Sequence, residues 1–130
     1  MKYTSATEAV KEIKSGDRVY VHAAAATPTF LVSELSKRAH ELRDVEFCHI
    51  HTSGNAEYAN PAYKDSFFVN SFFLGANVRH TIKEGNGSYL PIFFSEMGKV
   101  IRTELNVDVV LIQISEPDSH GYCSLGTSVE

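Results

Sequence analysis

The residues best suited to chemistry fall in four short runs of small and polar types: Ala23–Thr27, Thr52–Asn55, Leu74–Asn77 and Ser115–Gly121. Thr52, Ser53, Gly54 and Asn55 combine two hydroxyls, an amide and a glycine that lets a ligand approach the backbone. Gly75, Ala76 and Asn77 offer similar groups, with Arg79 two residues later. Backbone N–H and hydroxyl donors of this kind suit a carboxylate, or an oxyanion developing on a carbonyl. Ala25, Ala26 and Thr27 are small enough for a ligand to lie against them. Plain turn chemistry accounts for the same residue types, and both readings stay open on the residues alone. The candidate substrate-binding set is Ala25, Ala26, Thr27, Ser53, Gly54, Asn55, Gly75, Ala76 and Asn77. No residue is assigned a catalytic role.

Other chemistries have weaker support. Glu84-Gly85-Asn86-Gly87 contains G-x-G but not the third glycine of a dinucleotide fingerprint, and it follows a helical pattern rather than a strand. A helix stop followed by a turn explains it, with a part in shaping a ligand pocket as the functional alternative. His49 and His51 are expected to share one face of a strand, with Cys48 on the other. Zinc would need three or four converging ligands, and neither a CxxC nor an HExxH spacing occurs. No metal and no tightly bound cofactor are expected. His120 and Cys123 lie close in sequence, yet a thiol nucleophile needs an oriented base. Cys123 reads as a packed small side chain. His22, His40 and His80 read as ordinary surface or half-buried residues.

These runs need elements to hold them. Ser5 and Glu8 match a capping box for a helix whose Ala6, Ala9, Val10 and Ile13 share a face, with Gly16 as its stop. A strand follows over Arg18–His22. Thr27 is expected to cap a helix beginning at Pro28, with Leu31, Leu35, Ala39 and Leu42 inward and Glu34, Lys37, Arg38 and Glu41 outward. Strands are expected over Val45–Thr52 and Phe67–Leu74. A short helix over Asn77–Lys83 closes at Gly85, and an extended piece spans Tyr89–Phe94. Met97, Val100, Ile101 and Leu105 mark a further helix that Asn106 ends. Val107–Ile114 lacks polar alternation, as expected of a strand covered on both faces. Strands separated by helices imply an α/β fold, an open and mostly parallel sheet flanked by helices. Ligands of such sheets bind beyond the carboxyl ends of the strands, where the four runs lie.

Composition narrows the function. The 130 residues fit one domain, expected as a single α/β unit over 1–130. A net charge of −4 with scattered Lys and Arg argues against a nucleic-acid partner. No run approaches the apolar length that spans a bilayer, and Met1–Ala6 lacks the core of a secretory signal. With Cys48 and Cys123 read as free thiols, a cytoplasmic setting is expected.

One ordered series of motifs carries a resemblance over nearly the whole chain. It runs through Ser15-Gly16-Asp17-Arg18-Val19, Gly54-Asn55-Ala56-Glu57-Tyr58, Arg79 to Gly87, Tyr89-Leu90-Pro91 and Ser95-Glu96. It closes with Ser115-Glu116-Pro117-Asp118 and His120-Gly121-Tyr122-Cys123-Ser124-Leu125-Gly126. The series resembles the N-terminal domain of the acetyl-CoA hydrolase/transferase family, which contains 4-hydroxybutyrate and butyrate CoA-transferases. The resemblance implies CoA transfer between a short-chain acyl-CoA and a free carboxylate such as acetate, with coenzyme A thioester as substrate. It also implies a glutamyl-CoA intermediate whose glutamate belongs to a C-terminal domain outside this chain. Glu57, Glu96, Glu116 and Glu130 therefore take no such role, and the chain alone is expected to be inactive. The implied partners are acyl-CoA, small carboxylates and the missing domain or a partner chain, in a homo-oligomer. An acyl-CoA hydrolase, or a non-catalytic acyl-CoA- or carboxylate-binding module or subunit, is the alternative.

Overall fold

The computed structural model describes residues 3–129; Met1, Lys2 and Glu130 lie outside them, and with them the readings made of Met1 and Glu130. Five strands form one sheet: β1 (Arg18–Val21), β2 (Val45–His49), β3 (Phe67–Ser71), β4 (Gly87–Tyr89) and β5 (Val109–Leu111). Their order is β4-β3-β2-β1-β5, and every pairing is parallel. The helices are α1 (Ala6–Ala9), α2 (Thr29–Ser36), α3 (Thr81–Glu84) and α4 (Met97–Thr103). The fold is thus an open parallel α/β sheet flanked by helices. No helix among the described residues is long and apolar enough to cross a membrane.

Alternation along the strands sorts the core into two layers. Val19, Val21, Val45, Phe47, Phe67 and Val69 face one side, packed with Val10, Ile13, Val32, Leu35 and Leu42. Tyr20, Cys48 and Phe72 belong to the other, covered by Met97, Leu105 and half-buried Val100 and Ile101. Ser5 caps α1 by accepting from the Glu8 N–H at 3.2 Å. Its acidic partner does not return the bond: Glu8 pairs with Lys11 at 2.6 Å. Gly85 ends α3 at φ 78°, and Asn106 follows α4 at φ 44°.

Several boundaries move. β2 stops at His49 and β3 at Ser71, because the chain turns into the loops that form the candidate site. The Asn77–Lys83 helix narrows to Thr81–Glu84, and the fourth strand, β4, runs over Gly87–Tyr89 and shares only Tyr89 with the expected extended piece. Pro28 occupies the N-cap of α2, and Thr27 does not cap: its hydroxyl donates to the Ala24 carbonyl at 2.8 Å. Beyond Ser36 the helix tightens into a 3₁₀ turn over Lys37–His40. Arg38 there is half-buried rather than outward, donating to the carbonyls of Val10 and Ile13. In the same helix Leu31 is only half-buried, and Val32 takes the core position beside Leu35.

The largest correction concerns Val107–Ile114. β5 covers only Val109–Leu111 and is an edge strand, paired with β1 alone. Leu111 is buried, but Val110 is 54% exposed, and Ile112 and Ile114 are exposed at the same two-residue spacing. An apolar edge of this kind invites pairing with another chain. Residues 1–130 on their own are therefore expected to self-associate, read as oligomers in sedimentation velocity. Val110→Lys should shift them toward monomer, and a wild-type monomer at high concentration would refute the expectation.

β4 is held close to α3. A Cβ on Gly87 would lie 2.0 Å from Thr81 Oγ1, 2.6 Å from Thr81 Cβ and 3.2 Å from the Val69 carbonyl oxygen. Thr81 is fully buried, with its hydroxyl bonded to the Val78 carbonyl, so it has no room to give. Gly87→Ala is expected to cost about 1–3 kcal/mol of stability. An unchanged urea midpoint would show that the strand shifts freely.

Candidate functional site

A cavity of about 260 Å³ opens at the carboxyl ends of β1 and β2. Its lining includes Thr27, Thr52, Ser53, Gly54, Asn55 and Tyr58. Two loops build it. After β1 the chain passes Ala24 at φ 51° and enters α2, and an isolated parallel bridge ties Ala24 to Thr52. After β2, Gly54 at φ 93° and Ala56 at φ 47° turn the chain into a 3₁₀ turn over Glu57–Ala59.

Side chains lock the two loops together. Thr27 Oγ1 accepts the Ser53 N–H at 3.0 Å. The Asn77 amide donates to the carbonyls of Thr52 at 2.9 Å and Gly54 at 3.1 Å. No hydrogen bond from the N–H of Gly54 or Asn55 forms among the described residues, and both residues line the cavity. The nine expected binding residues therefore divide. Thr27, Ser53, Gly54 and Asn55 line the cavity, and Asn77 supports it from behind. Ala25 is exposed, Ala26 is buried, and neither they nor Gly75 and Ala76 line it. Arg79 is also outside, donating to the Leu74 carbonyl.

Behind the cavity runs a buried polar chain that the spacing of residues did not reveal. Tyr58 Oη lies 2.7 Å from Thr52 Oγ1 and 3.0 Å from His49 Nε2. Tyr58 and His49 are both fully buried. Burial holds the His49 imidazole well below its ordinary range, at about 4. Burial likewise pushes the Tyr58 phenol up, so both groups are neutral at physiological pH. The one acidic residue of the lining is Glu57, whose carboxylate accepts from Ser33 Oγ at 3.1 Å, and no cation lines the cavity.

The histidine pair separates: β2 ends at His49, whose ring meets Tyr58, whereas His51 packs against Phe73 with ring centroids 5.9 Å apart. His51 lines a second, mostly apolar cavity of about 330 Å³ with Ile50, Phe72, Ile92 and Met97. No group of three or more His, Cys, Asp and Glu among the described residues is placed to hold a metal. Cys123 is exposed rather than packed, and Cys48 is buried. Burial, with Glu46 beside it, pushes the Cys48 thiol up and keeps it unreactive. Burial also pushes Glu46 up, but hydrogen bonds from Asn70, Arg18 and Cys48 outweigh it and hold the carboxyl below its usual range.

Residues 1–130 match the acetyl-CoA hydrolase/transferase N-terminal domain over their full length. The chain belongs to this family. A succinyl-CoA:acetate/propanoyl-CoA:succinate CoA transferase of Fasciola hepatica is 40% identical over 121 residues, covering 91% of this chain and 25% of that protein. The 4-hydroxybutyrate coenzyme A transferase of Clostridium kluyveri is 36% identical over 98% of this chain and 30% of its own length. The crystal structure of RipA from Yersinia pestis superposes with a TM-score of 0.81 at 25% identity, covering 95% of this chain and 31% of that one. A 4-hydroxybutyrate CoA-transferase from Porphyromonas gingivalis shares the fold, with a TM-score of 0.71 at 24% identity. The chain spans under a third of the length of these relatives. The acetyl-CoA hydrolase/transferase members that it matches by sequence are named as CoA-transferases.

Proposed function

We propose that this chain is the N-terminal α/β domain of a CoA-transferase that moves CoA between a short-chain acyl-CoA and a free carboxylate such as acetate. The observation that carries the reading is the cavity at the ends of β1 and β2, walled by hydroxyls and free N–H groups, in a domain of this family. Neutral donors suit an acyl oxygen that gains charge as a nucleophile attacks its carbon. Among the nine binding residues, Thr27, Ser53, Gly54 and Asn55 would meet the acyl group. Ala25, Ala26, Gly75, Ala76 and Asn77 would shape the loops around them. The nucleophile is a glutamate outside this chain, converted to a glutamyl-CoA thioester and released by the second carboxylate. Such covalent relay replaces one difficult exchange by easier ones.

The test is acyl-CoA/acetate exchange by the protein at its natural length. Labelled acetate should enter acyl-CoA with ping-pong kinetics, and mass spectrometry should find CoA on a glutamate beyond Glu130. Exchange into water alone would make it a hydrolase. No turnover of any short-chain acyl-CoA, alongside saturable CoA binding, would leave a binding module instead.

A further inference from the structure

The buried chain behind the cavity has a direction, and its direction ends in the cavity. Nδ1 of His49 makes no hydrogen bond of full geometry, although the backbone of Ile50 and of His49 itself lies close enough to favour a ring N–H. A neutral imidazole carries one N–H and one bare lone pair, so one tautomer fixes the direction of the whole chain. In the direction proposed here the single ring proton of neutral His49 sits on Nε2 and is donated to Tyr58 Oη, 3.0 Å away, which leaves only a lone pair at Nδ1. Tyr58 Oη has one other neighbour, Thr52 Oγ1 at 2.7 Å, so the phenolic proton must go there.

Thr52 Oγ1 then already accepts from Tyr58, and weakly from Asn77 Nδ2 at 3.4 Å. Its own proton has no acceptor among the described residues. Thr52 is 6% exposed and lines the cavity. The opposite polarity would turn the Thr52 proton back onto Tyr58 and put the ring proton on Nδ1.

We propose that Thr52 is a hydroxyl donor to the acyl oxygen of the substrate, with Tyr58 and His49 as positioning residues that keep its proton turned outward. This rests on the reading of the cavity as the acyl site. The acyl oxygen in question is neutral in the ground state, such as a thioester carbonyl. The cavity wall carries Glu57 and no cation, so its fixed neutral donors act most on a carbonyl that gains charge during reaction. Packing also holds the chain in place, since the Tyr58 ring stacks on Phe47 with centroids 4.2 Å apart.

The experiment uses the protein at its natural length. Thr52→Val keeps the shape and removes the donor, and is expected to lower kcat/KM for acyl-CoA/acetate exchange by about 100-fold. Thr52→Ser should restore most of it. Tyr58→Phe keeps the stacked ring and should cost about tenfold, the worth of one hydrogen bond. His49→Gln supplies an N–H where Nε2 lies and should outperform His49→Leu, with both variants equally folded by circular dichroism. Nitrogen NMR of the wild-type imidazole should show the proton on Nε2. A proton on Nδ1, or full exchange by Thr52→Val, overturns the proposal while leaving the transferase reading intact. If the wild type shows no exchange, that reading fails instead, and the tautomer still decides the direction of the chain.

Discussion

Phe47→Ala is expected to remove about 3–5 kcal/mol of stability, the range for a large aromatic deleted from a packed core. Phe47 sits at the middle of β2, paired with Val19 on one side and Val69 on the other, and is fully buried. Its ring stacks on Tyr58 at 4.2 Å with planes 10° apart and meets Phe67 edge-on at 5.2 Å. Removing it opens a cavity between the sheet and the 3₁₀ turn that carries Tyr58. Since natural domains hold only about 5–15 kcal/mol in total, the variant should approach the unfolding threshold. Urea denaturation reads the loss directly. Phe47→Leu should cost less, and a loss below about 1 kcal/mol in Phe47→Ala would mean that the site collapses without strain.

Acid should destabilise the fold between the ordinary histidine range and about pH 4. His49 titrates near 6.5 when unfolded and at about 4 in the folded chain. Between those values the unfolded state binds a proton that the native state refuses, so stability falls as pH falls. At about 1.4 kcal/mol per unit, the loss approaches the order of 3 kcal/mol by pH 4. Glu46 acts in the same direction at lower pH. Its carboxyl is held below its usual range, so its contribution is present above that range and lost as pH drops through the folded value. Unfolding free energies measured at pH 7, 5 and 4 check this, and His49→Gln should flatten the upper part of the curve. An equally steep wild-type and variant profile would assign the effect elsewhere.

The parallel sheet was legible because apolar runs alternate with helical periods, and loops rich in small residues mark the carboxyl ends. Ser5, Gly85 and Asn106 stood out because caps and stops act locally. β4 escaped notice because its first residue is a glycine, chosen by the buried Thr81 side chain and not by strand propensity. β5 was misread because an apolar run reports what a strand would bury, not whether that cover is present. In the candidate site, Thr27 and Ser53–Asn55 were recognisable as donors on strand ends. The His49–Tyr58–Thr52 chain was not, because a left-handed Ala56 folds Tyr58 back under β2 and sequence distance says nothing of that return.

The strand order has a consequence for how the protein is made. β1 emerges first yet sits between β2 and β5, and its second neighbour is supplied last: Arg18 donates to Asp108, 90 residues later in the chain. At a translation rate of about 5–20 residues per second, the nascent β1 waits on the order of 5–20 s with one edge unpaired. Every other ladder also spans a crossover, so no hairpin of adjacent strands among the described residues holds that edge meanwhile. The ribosome-bound chain is thus most vulnerable to misassembly just before residues 109–111 leave the exit tunnel.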